Sequence, residues 1–115
     1  MDDDSDTCIV VKTILEKAGY EVVSKSRAKD ALSVIKDNKF DLLLIDIMMP
    51  DMSGWELFNS VMKEFPHNKI VILSIIKLPS EKIDELLKLG LKDYITKPFD
   101  KQDFVNRVEQ AIRAK

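Results

Sequence analysis

The sequence predicts an α/β fold in which a parallel β-sheet is covered by helices on both faces. Two runs of apolar residues, at positions 42–45 and 70–73, lack the polar alternation of a half-exposed strand. Such runs are typical of strands that are buried on both faces. Segments with a helical spacing of apolar residues lie before, between and after them. Alternating strands and helices call for a parallel sheet with right-handed crossovers.

The size and composition of the chain favour one soluble domain. A chain of 115 residues has the length of a single domain, to which we assign residues 1–115. Hydrophobic residues make up 45% and charged residues 33%, and the net charge of -2 provides no basic face for direct nucleic-acid binding. Cys8 is the single cysteine, which excludes an intramolecular disulfide. No apolar run approaches the ~20 residues of a membrane span and no signal peptide precedes the acidic start. We therefore expect a cytoplasmic protein that does not bind membranes.

The first third of the chain is predicted to form a helix, a short strand and a second helix. The apolar residues of the first helix recur at helical spacing up to a stop at Gly19; they are Val10, Val11, Ile14, Leu15 and Ala18. The β-branched residues 9–11 also favour a strand, and helix is the preferred interpretation. Residues 21–24 are predicted to form the strand. Ser26 can cap the next helix, whose inner face carries Ala31, Leu32 and Ile35.

The rest of the chain continues the alternation. Ser53 and Glu56 have the spacing of a capping box, which opens a helix that Pro66 ends. The helix presents Leu57, Phe58, Val61, Met62 and Phe65 on one face. A strand at residues 70–74 is predicted next, followed by a helix from about residue 80 to 89 that Gly90 closes. The last two predicted elements are a strand at residues 94–96 and a helix that Asp100 caps. The inward residues of this last helix are Phe104, Val105, Val108 and Ile112.

Polar side chains stand where the predicted strands end. Asp46 follows the first buried run, Ser74 ends the second, and Lys97 follows the third strand. Parallel strands bring their carboxyl ends to one edge of the sheet, where α/β proteins bind ligands. Asp2 and Asp3 precede the first predicted helix and can reach the same edge. Clustered carboxylates need a cation, and Mg²⁺ prefers oxygen ligands. Such a set suits transfer of a phosphoryl group to Asp46.

Each of these residues also has a purely structural interpretation. Asp46 is compatible with a cap in the turn that follows the strand, since Asp is common in loops. Asp2 and Asp3 are compatible with a solvated acidic terminus, and Lys97 with an ordinary surface lysine. Tyr94, in the third strand, is equally compatible with a core residue.

The chain resembles the receiver domain of two-component response regulators, the family of the chemotaxis regulator, over almost its whole length. The matching residues are Asp2 and Asp3, Asp46 with Met49, Pro50 and Gly54, Ser74, and the run Lys97, Pro98 and Phe99. The resemblance implies a flavodoxin-like doubly wound sheet of strand order 2-1-3-4-5. It also implies a sensor histidine kinase and a downstream output protein or domain as partners.

By this resemblance Asp46 is the phosphoacceptor, Ser74 contacts the phosphoryl group and Lys97 pairs with it. Asp3, Asp46 and the backbone carbonyl of Met48 would bind Mg²⁺, and Asp2 would act through a water molecule. With Ser74, Tyr94 would form the switch that responds to phosphorylation.

Two departures from the family pattern stand out. Receiver domains normally begin with an apolar strand that leads into the acidic pair, and here only Met1 precedes Asp2. The loss of that central strand would leave unpaired backbone groups beside residues 42–45. The strand at residues 21–24 can shift to fill the gap, residues 9–11 can enter the sheet, or two chains can exchange elements to form a homodimer. A chain truncated at its start is a further explanation. The second departure is Ile75, where the family prefers a small residue.

The function we predict is that of a phosphoacceptor receiver, which we class as a signalling module and not as an enzyme. The alternative is a degenerate receiver that binds other proteins without being phosphorylated, as the missing strand and Ile75 suggest. A phosphatase of the haloacid type is disfavoured, because it needs a second aspartate two residues after the first and Met48 stands there.

Overall fold

The computed structural model describes residues 3–25, 28–46, 54–74, 77–97 and 99–114, with side chains for all of these except residues 3–8, 28, 46 and 54. Within these ranges five helices alternate with three strands. In chain order the elements are α1 (Asp3–Lys17), α2 (Ala28–Asp37), β1 (Leu43–Asp46), α3 (Gly54–Glu64), β2 (Ile70–Ser74), α4 (Ser80–Lys88), β3 (Asp93–Thr96) and α5 (Lys101–Arg113).

The three strands form one parallel sheet in the order β1-β2-β3. Ile72 at the centre of β2 pairs with Ile45 on one side and with Tyr94 on the other. Because β2 has a neighbour on each side and a helical layer on each face, every one of its five residues is buried. The parallel sheet confirms the prediction from the two apolar runs.

The helices cover both faces of the sheet, as the doubly wound fold requires. On one face Ile70 and Ile72 pack in a core cluster with side chains of α2, α3 and α4, among them Ile35, Phe58 and Leu86. On the other face Val71, Leu73 and Ile95 pack against α1 and α5 through Ile14, Leu15, Phe104 and Val108. Successive strand residues alternate between the two clusters because side chains alternate across a strand.

The predicted strand at residues 21–24 is wrong: residues 20–25 lie outside any helix or strand. A short extended segment is stabilised mainly by pairing with a neighbouring strand, and no neighbour for it is present in the described part of the sheet. Residues 9–11 lie within α1, which confirms the helical interpretation. These residues therefore do not enter the sheet. Ile14 and Leu15 face the core as predicted, whereas Val10 is 50% exposed.

One edge of β1 faces no strand among the described residues. The Leu43 N–H donates to the Lys69 carbonyl at 2.8 Å, so the amides of Leu43 and Ile45 point toward β2. The amide of Leu44 then points the other way, since successive amides of a strand alternate in direction. Tyr20 and Val22 pack into the same cluster as Leu44 without pairing with it as a strand. Leu42 and Leu44 are only half-buried, in contrast to the fully buried run that the sequence predicts.

The ends of α4 and α5 follow the sequence signals. Gly90 has φ of +117°, a conformation that other residues rarely adopt, and it lets the Leu91 N–H donate back to the Leu86 carbonyl at 3.1 Å. The Asp100 side chain accepts a hydrogen bond from the Asp103 N–H at 2.9 Å, which confirms the predicted cap of α5. No helix in the described ranges combines the length and apolar character that a membrane span needs.

Candidate functional site

The carboxyl ends of the three strands meet at one edge of the sheet. Asp46 closes β1, Ser74 closes β2, and Lys97 follows the last residue of β3. The register places Asp46 beside Leu73 and Ser74 beside Thr96. The structure therefore brings the backbones of Asp46, Ser74 and Lys97 together as the sequence predicts. The side chain of Asp46 is not among those described, so its role stays a prediction.

Ser74 and Lys97 are held by their backbones. The Lys97 N–H donates to the Ser74 carbonyl at 2.8 Å, which continues the ladder between β2 and β3 by one step. Ser74 is 1% exposed, the one buried polar residue of the described core. Lys97 is half-buried, and neither side chain is without a partner. Ser74 contributes a hydroxyl and Lys97 an ammonium to this edge of the sheet, and both groups can donate hydrogen bonds to an oxyanion.

The segment after Lys97 is anchored to α5 by an aromatic pair. The rings of Phe99 and Phe104 stack with centroids 4.5 Å apart and an angle of 18° between their planes. Phe104 is fully buried against the sheet. The Phe99 ring therefore anchors the chain to α5 two residues after Lys97.

The start of β3 is clamped to α5 by an ion pair that is not among the sequence predictions. Arg107 Nε lies 2.8 Å from Asp93 Oδ2, and Arg107 Nη2 lies 2.6 Å from Asp93 Oδ1. The same Nη2 donates to the Tyr94 carbonyl at 3.0 Å. Bidentate pairs of this kind are stronger and more specific in geometry than single contacts. Because the two residues are far apart in the sequence, no local spacing indicates the pair.

The hydrogen bond to the Asp93 carboxylate raises the pKa of Arg107. Burial of the guanidinium lowers this pKa, and the negative charges of Asp93 and Asp103 raise it further, so the net shift is upward. A cation with a raised pKa in the folded state gives stability that is present at all lower pH and is lost only as the pH rises through that pKa. The guanidinium of Arg107 therefore stays charged throughout the pH range in which proteins are normally folded.

Tyr94 lies with its side chain in the core and not at the surface. It is 4% exposed and packs in the cluster of α2, α3 and α4. Its ring faces Trp55, with centroids 6.5 Å apart and 12° between the planes. Trp55 has no role among the sequence predictions, because nothing in the local pattern of α3 indicates a partner on β3. The core interpretation of Tyr94 is confirmed, and the switch role stays a prediction.

The predicted metal ligands fall mostly on residues that are not described. Asp3 is the first residue of α1, so it lies in the helix and not before it as predicted. Asp2, Met48 and Ile75 lie outside the described ranges, and Ile75 is the second departure from the family pattern. The side chains of Asp3 and Asp46 are not described either. The described side chains contain no group of three histidine, cysteine, aspartate or glutamate residues that could hold a metal ion. The Mg²⁺ ligands therefore stay predictions that the family resemblance implies and that agree with the preference of Mg²⁺ for oxygen.

Comparison with known proteins agrees with this geometry. The family model "Response regulator receiver domain" matches residues 1–109. The chain is similar to the chemotaxis protein CheY of Thermotoga maritima, with 33% identity over 98% of this chain and 94% of CheY. It is also similar to the transcriptional regulatory protein YvrH of Bacillus subtilis, with 32% identity over 98% of this chain. The chain spans about half of YvrH, 47% of its length.

A solved structure gives the same result for the fold. The receiver domain of the Francisella response regulator 1452 superposes with a TM-score of 0.86 at 33% identity, over 97% of this chain and 92% of that one. The predicted family and the predicted flavodoxin-like fold are both confirmed. This chain belongs to the response regulator receiver domain family.

Proposed function

We propose that the chain is a phosphoacceptor receiver that takes a phosphoryl group from a phosphohistidine of a sensor kinase onto Asp46. The observation that carries the proposal is the common edge at which Asp46 closes β1, Ser74 closes β2 and Lys97 follows β3. An acidic residue at that edge, next to a buried hydroxyl and an ammonium, has the surroundings that phosphoryl transfer needs.

Each residue of the site would have its own role in the transfer of the phosphoryl group. A carboxylate oxygen of Asp46 attacks phosphorus, and the P–N bond to the kinase histidine breaks as the new P–O bond forms. Lys97 and the Ser74 hydroxyl stabilise the oxygens of the transferred group by charge and by hydrogen bonding. Bound Mg²⁺, held by Asp3, Asp46 and the Met48 carbonyl, with Asp2 acting through water, would supply further neutralisation of charge.

The product of this reaction is a signal, and for that reason we propose a regulatory module and not an enzyme. The partners would be a cytoplasmic sensor histidine kinase and a downstream output protein or domain. The buried Tyr94 and Ser74 would change their surroundings when Asp46 carries phosphate. A second copy of the chain is a further partner, because pairing at the open edge of β1 would satisfy its backbone groups.

A degenerate receiver that only binds other proteins is the second candidate. It is supported by the same open edge of β1, since that strand positions Asp46 and has a single neighbour in the described sheet. The two candidates differ in one property, which is whether Asp46 accepts phosphate.

Incubation with acetyl phosphate and Mg²⁺, followed by intact-mass measurement, separates the candidates. We expect the unchanged chain to gain one phosphoryl group and Asp46→Asn to gain none, because the amide is not a nucleophile. Asp51→Asn is the matched control, since it makes the same chemical change a few residues further along the chain, and it should gain phosphate like the unchanged chain. Absence of phosphate on the unchanged chain, or equal phosphate on Asp46→Asn, would contradict the proposal and favour the degenerate receiver.

A further inference from the structure

Two stretches of extended backbone lack hydrogen-bond partners among the described residues. The N–H and C=O of Leu44 point away from β2, because the neighbouring Leu43 N–H donates to the Lys69 carbonyl and successive residues of a strand alternate in direction. Residues 21–25 belong to no helix or strand and form no backbone hydrogen bond with another described residue. Both stretches therefore present backbone donors and acceptors that another strand could use.

The two stretches lie at the same edge of the sheet. Because α1 packs on one face with α5 and α2 packs on the other face with α3, the chain between α1 and α2 must pass an edge of the sheet. That edge is the one of β1, since α2 contacts α3 and α3 contacts β1. Tyr20 and Val22 pack into the same cluster as Leu42 and Leu44. Residues 21–25 thus pass the open edge of β1 without pairing with it.

Two acidic side chains mark one end of this edge. The helix α2 connects residues 21–25 with β1, and a helical crossover brings the second segment into the same direction as the first. The starts of both stretches therefore lie at the same end. Glu21 stands directly before Val22, Asp41 stands directly before Leu42, and both carboxylates are exposed while both apolar residues are half-buried. A strand placed between the stretches would meet negative charge at its start and apolar side chains beyond it.

We propose that the two stretches form a strand acceptor, a binding site between residues 21–25 and β1 for an extended segment of another protein. The segment has a lysine or arginine beside Glu21 and Asp41, and about four apolar residues follow it. Its apolar residues alternate between the two core clusters, as the residues of β2 do. This inference does not depend on phosphorylation of Asp46.

The hydrogen-bonding requirement favours an inserted peptide over a second copy of the chain. An inserted strand has two free edges, so it can pair with β1 and with residues 21–25 at once. The three described strands of a second copy already belong to a sheet, in which the outer strands have one free edge each and the central strand has none. A second copy would therefore satisfy β1 and leave residues 21–25 without partners.

Hydrogen exchange of the full chain with a synthetic peptide tests the strand acceptor. The probe has the sequence of residues 69–74 with blocked ends, because this run begins with a lysine, continues with four apolar residues and already forms a strand in this sheet. At saturating peptide we expect the Leu44 amide and at least one amide of residues 21–25 to exchange about tenfold more slowly or less. The Ile45 amide already faces β2 and should change less. A control peptide with proline in place of its second isoleucine should have no effect, since proline interrupts a paired strand.

A charge variant tests the orientation of the bound segment. In the double variant Glu21→Gln, Asp41→Asn we expect the Kd of the probe to rise about two- to fivefold, as is typical of exposed ion pairs. A probe with alanine in place of its lysine should bind the variant and the unchanged chain equally.

Four results would overturn the strand acceptor. They are unchanged exchange of Leu44 with the probe, slower exchange of Leu44 with no change in residues 21–25, an equal effect of the proline peptide, and the same rise in Kd for the alanine probe as for the lysine probe. Protection of Leu44 that rises with the concentration of the chain alone would also overturn it, because a second copy would then occupy the edge.

Discussion

The two sides of the sheet differ in how they support the candidate site. Ser74 and Lys97 stand at the carboxyl ends of β2 and β3. The two strands are joined by a buried ladder, the Asp93–Arg107 pair holds the start of β3, and the Phe99–Phe104 stack lies just beyond Lys97. Asp46 stands at the end of β1, which has one neighbouring strand in the described sheet. The strands that carry Ser74 and Lys97 therefore have more supporting contacts than the strand that carries Asp46, the proposed phosphoacceptor.

The difference follows from burial and pairing and not from residue type. Ile72 and Leu44 both belong to runs of aliphatic residues in parallel strands. Ile72 is fully buried because β2 has a strand on each side, whereas Leu44 is half-buried on a strand with an open edge. Similar sequences thus differ in burial when the tertiary surroundings differ.

The largest expected effect comes from truncating a side chain on each side of this comparison. Ile72→Ala should lower the free energy of unfolding by about 2 to 5 kcal/mol, because it leaves a cavity in a close-packed site. Leu44→Ala should cost about 1 kcal/mol, since less apolar area is lost and the site is open to solvent. Urea denaturation measures both. Equal losses for the two variants would show that Leu44 is as well enclosed as Ile72.

A smaller effect is expected from the clamp that fixes β3 to α5. Arg107→Met should cost about 1 to 2 kcal/mol, because it removes a bidentate pair and a bond to the Tyr94 carbonyl from a site that is largely shielded from water. Arg113→Met is the matched control on the same helix. Arg113 pairs with Glu109 at 2.6 Å, but its side chain is 77% exposed, so its loss should cost less than about 0.5 kcal/mol. If Arg107→Met lowers the free energy of unfolding no more than Arg113→Met does, the Asp93–Arg107 pair does not stabilise this part of the fold.

Much of the fold was predictable because it depends on local patterns. The apolar run of β2, the cap at Asp100 and the stop at Gly90 each act within a few residues, and each is present as predicted. The meeting of Asp46, Ser74 and Lys97 followed from parallel strands alone.

The rest depends on contacts between distant parts of the chain. Residues 21–24 have strand-forming side chains, but a strand also needs a neighbour, and that requirement is not visible in four residues. The partners of Asp93 and Trp55 are likewise fixed by tertiary packing, since Arg107 and Tyr94 are distant from them in the sequence.

Native-state hydrogen exchange of neighbouring amides in β1 tests the open edge most directly. The amide of Ile45 points toward β2, and the amide of Leu44 points toward the edge that has no strand among the described residues. We expect the Leu44 amide to exchange about tenfold faster than the Ile45 amide or more, since it lacks a strand partner. Equal protection of the two amides would contradict the open edge. In that case, protection of Leu44 that rises with protein concentration would show that a second copy of the chain pairs with the edge, and constant protection would show that the chain closes it alone.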